Sequence, residues 1–153
     1  MNASVEGNAA PQILDPGRGD CYCFAGLSCR PIVRGDDSGG AYSLIEITAE
    51  PQSGCPLHIR HSEDTTMYVI SGIFRIVAGA EARVAAPGTV VRIPRGIPNG
   101  FRNLGTSVSC LLVSSTPGGY EKFIEEMSRA PQPQDPRSYE GMLARHGMSL
   151  VTA

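Results

Sequence analysis

The sequence predicts an all-β protein that ends in two short helices. Glycine and proline are frequent, with 18 and 12 residues in a chain of 153, which is typical of many short strands joined by turns. Apolar segments that stop at turn residues recur along the chain, as in Met67–Ile70 before Ser71 and Gly72. A chain of this length can bury one proper core, so we expect a single domain.

The elements are predicted in order from residue 20 onward. Residues 1–19 are polar and are expected to form a loose N-terminal arm, followed by a barrel over 20–115. The strand at 41–49 has no cleanly polar face, so alternation does not say whether Glu46 or its neighbours point inward. Strands are predicted at 22–33 (one or two edge strands), 41–49, 56–70 (two strands around a polar turn), 73–78, 82–86, 89–103 (two short strands around a corner) and 108–114.

The pattern changes at residue 116. Apolar residues at 120, 123, 124 and 127 have helical spacing. After a proline-rich link, residues 138–145 read as a second helix, for which Ser138 could be the N-cap and Gly147 follows the end. We therefore expect a C-terminal helical extension over 116–153, packed on the barrel.

Charge and composition exclude several classes of function. The net charge of −2 gives no electrostatic reason to bind nucleic acid or an anionic membrane. No apolar run approaches the ~20 residues that span a bilayer, and the first residues lack the features of a secretory signal, so a cytoplasmic protein is expected. The five cysteines are expected to be free buried thiols, the alternative being a zinc site from Cys21, Cys23 and Cys29.

Two motifs carry a family resemblance. The segment from Pro56 to Gly72 begins with His58, and the segment from Gly88 to Asn103 contains Pro-Arg-Gly-Ile-Pro. Their spacing resembles the paired motifs of the cupin family, most closely the small single-domain, quercetin-dioxygenase-like cupins, over about residues 25–150. The resemblance implies a jelly-roll β-barrel. The scaffold positions that match are Gly72, Gly88, Pro94, Gly96 and Asn103.

The metal-ligand positions of that family do not match. The resemblance places the four ligands at His58, Arg60, Thr65 and Asn99, and only His58 is the expected residue. A guanidinium stays protonated and offers no lone pair, and an amide is a weak ligand. A divalent transition metal requires several good donors, so no metal and no cofactor are expected. An irregular site from His58, His61 and a nearby carboxylate is the alternative, whereas a solvated turn at His61–Asp64 is the expectation.

Alternation on the strands predicts which side chains share the interior. His58 and Arg60 are expected to face it together with Asn99, with His58 as general acid or base and Arg60 and Asn99 as stabilisers of negative charge. A functional role is favoured for His58 and Arg60, because burying an arginine is costly unless a partner satisfies its charge and its hydrogen bonds. The expected substrate-binding residues are Thr65, Met67, Val69 and Phe101, with Glu46 if its strand face is the inner one.

Fold alone does not assign an activity, so the function follows from these residues. They predict a metal-independent enzyme that moves a proton on a small anionic, phenolic or enolisable molecule, giving isomerisation, cyclisation, epimerisation or elimination. A non-catalytic binding protein for such a ligand is the alternative, and a metal-dependent dioxygenase comes third. No nucleic-acid or membrane partner is expected, and exposed edge strands near the N-terminus predict a homodimer.

Overall fold

Two antiparallel sheets enclose the core of the protein. The computed structural model describes residues 10–151, so the predicted arm at 1–9 lies outside the described residues, as do 152 and 153. One sheet has the order β1-β2-β3-β10-β5-β8 and the other β11-β4-β9-β6-β7. Within the described residues the strands are β1 (Tyr22–Phe24), β2 (Leu27–Val33), β3 (Ser43–Ala49), β4 (Gly54–Arg60), β5 (Asp64–Ser71), β6 (Phe74–Ala78), β7 (Glu81–Ala85), β8 (Val90–Ile93), β9 (Asn99–Asn103), β10 (Ser109–Thr116) and β11 (Met148–Leu150). This arrangement confirms the all-β, jelly-roll prediction.

The inner face of β3 is the one that carries Ile45 and Ile47. Both are almost fully buried, while the alternate residues of the strand are half-buried on the other face. Glu46 lies on this outer face, where its carboxylate pairs with Arg30 at 3.3 Å. The conditional prediction of Glu46 as a substrate-binding residue is therefore wrong, because the interior is filled by the isoleucine side of the strand.

β11 is a strand that the sequence did not predict. It adds to the edge of β4, with Met148 opposite Arg60 and Leu150 opposite His58. Three residues are too few to show alternation, so this strand exists only because the chain returns to the barrel after the helices. It covers the edge of the strand that carries the two central site residues.

The scaffold positions of the two motifs have physical roles. Gly72 has a φ of +81°, and a Cβ there would lie 1.7 Å from Ser109 Oγ, so only glycine fits. Asn103 is fully buried and its amide is saturated, because it donates to the carbonyls of Ala49 and Ser107 and accepts from Ser109 Oγ. Gly72 and Asn103 therefore have structural roles at the connections between strands.

The first helix, α1 (Tyr120–Arg129), packs on the barrel as predicted. Its inward face is made by Tyr120, Phe123, Ile124 and Met127, each at most 6% exposed, and each such burial contributes roughly 1.5–3 kcal/mol. The buried Glu121 anchors the start of the helix. Its carboxylate accepts from the backbone N–H of Gly35 at 2.8 Å and from the hydroxyl of Ser43 at 2.5 Å.

The second helix, α2 (Pro136–Arg145), starts two residues earlier than predicted. Asp135 is its N-cap, since its carboxylate accepts from the backbone N–H of Ser138 at 3.0 Å. Pro136 then occupies the first helical position, where a missing N–H costs nothing. Ser138 is therefore the residue that is capped, and the expectation that it caps the helix is wrong.

The cysteines differ in their exposure. All five are free; Cys29 is buried, Cys55 and Cys110 are half-buried, and Cys21 and Cys23 are exposed. The expectation of buried thiols is thus wrong for Cys23 in β1 and for Cys21 just before it, because one face of this short edge strand is exposed to solvent. In the described part of the chain no helix is long and apolar enough to cross a membrane.

Candidate active site inside the barrel

His58 sits near the end of β4 with its ring in the barrel interior, only 2% exposed. Its Nδ1 lies 2.9 Å from the carbonyl oxygen of Pro56, which can only accept a hydrogen bond, so Nδ1 carries the proton. The lone pair is then on Nε2. That atom is buried and has no hydrogen-bond partner among the described residues, so the available base of this imidazole faces the interior.

The surroundings keep this imidazole neutral. Burial, and after it the positive charge of Arg60, lowers the pKa of His58 from 6.5 to about 4, against the opposing effect of the Pro56 carbonyl. Both effects disfavour the imidazolium, since it would be a second cation in a region shielded from water. At neutral pH His58 therefore presents an uncharged acceptor.

Arg60, two residues along the same strand, reaches across the interior to the other sheet. Its guanidinium is 5% exposed, and Nη1 donates to Thr65 Oγ1 at 3.1 Å and to Ser115 Oγ at 3.0 Å. The ring of Tyr120, at the start of α1, covers the guanidinium, with its centroid 3.6 Å from Cζ, a cation–π distance. Over residues 10–151, Nε of Arg60 has no hydrogen-bond partner.

The charge of Arg60 is only partly balanced. Glu63 approaches Nη1 to 3.9 Å with a side chain that is 16% exposed. Burial raises the pKa of Glu63, while the charge of Arg60 acts in the opposite direction. The expectation that Glu63 belongs to a solvated turn is therefore wrong. The neighbouring His61 is exposed, and its Nε2 lies 2.8 Å from Ser149 Oγ, away from the interior.

Asn99 joins the group from β9, where it is directly opposite His58 in the sheet register. Such pairs have side chains on one face, roughly 5 Å apart at Cβ. Asn99 is 1% exposed, and its Nδ2 donates to the carbonyl of Ile97 at 3.2 Å. Its Oδ1 is buried without a partner in the part of the chain that the structure describes. Within that part, His58, Arg60 and Asn99 thus each present one unpaired buried polar atom, and a buried polar atom requires a ligand or a water.

The remaining predicted binding residues divide between two places. The hydroxyl of Thr65 accepts from Arg60 and so holds it in position. Met67 and Val69, each 1% exposed, belong to the packed core. Phe101 lines a cavity of about 250 Å³ beside the C-terminal helices. The apolar wall is therefore at the helices, rather than along β5 as the strand pattern predicted.

Two residues of the site were not foreseen from the sequence. Ser115 lies opposite Thr65 in the register of β10 and β5, and both hydroxyls accept from Arg60. Alternation after Leu111 and Val113 could have indicated that Ser115 faces inward, but the predicted strand ended one residue before it. Tyr120 belongs to the apolar face of α1, and nothing in that spacing indicates that its ring covers a cation.

The residues at the family's metal-ligand positions do not fit a metal. Nε2 of His58 and Oδ1 of Asn99 could donate, but the guanidinium of Arg60 is held between them and the opposite sheet and repels a cation. Thr65 supplies a hydroxyl that already accepts from Arg60. Over residues 10–151 there is also no group of three or more histidine, cysteine, aspartate or glutamate side chains that could hold a metal ion. Cys21, Cys23 and Cys29 lie in this range and do not form such a group.

Comparisons with known proteins agree with this architecture. The cupin domain family matches residues 45–115. An uncharacterized protein of Streptomyces coelicolor is 31% identical over 80 residues, which are 52% of this chain and 70% of that protein. Among solved structures, KdgF from a Halomonas species superposes with a TM-score of 0.66 at 15% identity, covering 72% of this chain and 99% of that one.

The polyketide cyclase RemF from Streptomyces resistomycificus superposes with a TM-score of 0.62 at 20% identity, covering 70% of this chain and 80% of that one. Identities this low show the fold alone. The family match over residues 45–115 includes His58 and Arg60 and most strands of the two-sheet barrel. The chain belongs to the cupin superfamily.

Proposed function

We propose that this protein is a metal-independent cupin enzyme that moves a proton on a small anionic, phenolic or enolisable molecule. The observation that carries the proposal is that His58 Nε2, Arg60 Nε and Asn99 Oδ1 are buried without a hydrogen-bond partner among residues 10–151. Glu63 Oε2, 3.9 Å from Arg60, is a fourth such atom in the same region. The first three atoms supply a proton acceptor, a cationic donor and a neutral acceptor on two neighbouring strands. This combination suits isomerisation, cyclisation, epimerisation or elimination, and a polyketide cyclase is among the similar folds.

His58 acts as the base in this proposal. With Nδ1–H held by Pro56, its Nε2 is the atom that takes the proton. A pKa of about 4, lowered first by burial and then by the partly balanced charge of Arg60, makes it a weak base in the free site. An anion bound at Arg60 offsets the second of these causes and raises the pKa of His58 toward the range in which a general base is effective. Substrate binding therefore activates the base.

Arg60 stabilises the negative charge that develops when the proton leaves. Its guanidinium is held by two hydroxyls and by the Tyr120 ring, so it is preorganised. A fixed cation away from water interacts more strongly with an enolate or phenolate than a surface cation does. The distance of 3.9 Å to Glu63 leaves room for a closer anionic partner. Asn99 Oδ1 would then accept a hydrogen bond from a substrate hydroxyl.

Hydrogen–deuterium exchange tests the proposal without knowledge of the natural substrate. A panel of 2-oxo acids and 1,3-dicarbonyl compounds is incubated with the protein in D₂O, and loss of the α-proton signal is followed by NMR. We expect catalysed exchange for at least one compound, unchanged after treatment with EDTA. His58→Gln should abolish exchange, and Arg60→Lys should weaken it because the flat, two-pronged donor is lost.

Arg30→Lys is the matched control, since this arginine lies on the outer face and pairs with Glu46. It should leave exchange and melting temperature unchanged. Exchange that persists in His58→Gln would contradict the assignment of the base. Binding of a panel member without any exchange would favour the non-catalytic binding protein instead, and activity lost with EDTA and restored by one metal would favour the dioxygenase-type alternative.

A further inference from the structure

An apolar cavity lies between the barrel and the C-terminal helices, and it has no role in the proton transfer described above. Its volume is about 250 Å³, and His58, Arg60 and Asn99 are not among its lining residues. The walls come from β1, β2, β3, β4, β9, both helices and the link between the helices, and five of the seventeen lining residues are aromatic. The principal side chains are Phe24, Phe101, Tyr120, Phe123, Met127 and Tyr139.

The size and lining of this cavity indicate a ring system. A closed apolar cavity of about 150 Å³ in another protein stays dry and takes up benzene, so about 250 Å³ accommodates a two-ring molecule. Tyr120 and Phe123 stack on each other, with centroids 5.6 Å apart and planes inclined by 25°, which holds both rings in place. Phe101 is held edge-on to Phe74. Fixed aromatic walls of this kind favour a flat aromatic guest.

One polar atom in the wall has no partner between residues 10 and 151. Gln134 lines the cavity from the link between the helices, and its Oε1 is buried without a hydrogen bond to any residue in that range. An amide oxygen accepts only, so its natural partner is the O–H of a ligand. The thiol of Cys55, also in the wall, has its pKa raised to about 11 by burial and stays neutral. The wall thus contains an acceptor for a hydroxyl and no anion.

Tyr120 connects this cavity to the polar site. Its ring lines the cavity and also covers Arg60, at 3.6 Å from the centroid to Cζ. Cys55 is a second shared residue, because it lines the cavity and its Sγ lies 3.4 Å from His58 Nδ1. Through these two shared residues the cavity lies next to the residues that handle charge.

We infer that the cavity binds the ring portion of a hydroxylated aromatic molecule of one or two rings, with the ring hydroxyl donating to Gln134 Oε1. Placing an acidic oxygen substituent of the same molecule at Arg60 rests on the proposed function above. Together the two parts define the substrate class as a phenolic aromatic compound with an acidic or enolisable group next to the ring.

Calorimetric titration with three probes tests the two parts separately. Naphthalene reports on the cavity alone, 2-naphthol adds the hydroxyl, and 3-hydroxy-2-naphthoate adds the anion. We expect 2-naphthol to bind the parent protein more tightly than naphthalene. Gln134→Leu keeps the volume but removes the acceptor, so it should weaken 2-naphthol about tenfold and leave naphthalene unchanged, as expected for about 1.4 kcal/mol of hydrogen bonding.

Met127→Trp fills the cavity and should abolish binding of both neutral probes, whereas Val108→Trp, at a position that is 51% exposed, should have no effect. Equal binding of 2-naphthol to the parent protein, Gln134→Leu and Met127→Trp, or no binding to the parent, overturns the inference. Should Met127→Trp fail to fold, the Gln134→Leu comparison still decides. If the neutral probes behave as expected but Arg60→Gln leaves 3-hydroxy-2-naphthoate unaffected, the cavity assignment stands and the proposed role of Arg60 fails.

Discussion

Protonation of His58 should make the protein lose stability in mild acid, and the size of this loss follows from its surroundings. Burial and the charge of Arg60 lower the pKa of His58 from 6.5 to about 4 in the folded protein. Because the folded-state pKa lies below the unfolded-state value, the unfolded chain takes up the proton first as the pH falls. The stabilisation is complete above pH 6.5 and is lost progressively toward pH 4.

The expected magnitude is about 2 kcal/mol between pH 7 and pH 5, since each pH unit in this window is worth up to about 1.4 kcal/mol. Urea unfolding followed by circular dichroism at the two pH values gives the loss for the parent protein. His58→Gln has no titrating group there, so its loss should be smaller by about that amount. His61→Gln is the matched control, since His61 is exposed, and it should behave like the parent. Equal losses in the parent and in His58→Gln would refute the reasoning.

Four further predictions concern the scaffold, metal content and assembly. Glu121→Ala should lower the free energy of unfolding by about 3 kcal/mol, because it strands a buried backbone N–H and a buried hydroxyl; a loss below about 1 kcal/mol in urea unfolding would contradict this. Gly72→Ala should cost more than Gly88→Ala, since both have positive φ but only at Gly72 would a Cβ meet Ser109 Oγ, at 1.7 Å; equal melting temperatures would show that the loop adjusts freely. Elemental analysis of protein purified without added metal should find well under one equivalent of Fe, Mn, Ni, Cu or Zn, and a full equivalent that disappears in His58→Gln would overturn this expectation. Light scattering should give about twice the chain mass of 16.2 kDa, because β1 is a short edge strand that a second copy can cover; a mass of one chain would contradict the dimer.

The interior positions of the site could be predicted from the sequence because strand alternation is a local property. His58 and Arg60 are two residues apart on β4, so their side chains point to the same face of the strand. The same alternation placed Thr65 and Asn99 inward, and all four are at most 5% exposed. Spacing of glycine and proline located the turns, since positive φ and a fixed corner restrict which residues are allowed.

What these side chains contact could not be predicted, because their partners come from distant parts of the chain. Arg60 is held by Ser115, 55 residues away, and is covered by Tyr120 from a helix. Strand alternation alone did not decide whether Glu46 faces inward, and the packing of Ile45 and Ile47 in the core places it on the outer face. The unexpected β11 likewise depends on the return of the chain to the edge of β4.

The sequence by itself therefore determined the fold class, the strand faces of β4, β5 and β9, and the poor match to a metal site. These follow from backbone geometry and from the fixed chemistry of guanidinium, hydroxyl and amide groups. Only the tertiary structure decided that Nε2 of His58 keeps its lone pair, that Arg60 is partly uncompensated and that an aromatic cavity adjoins them. Burial, charge balance and cavity shape depend on groups far apart in the chain, and only packing brings them together.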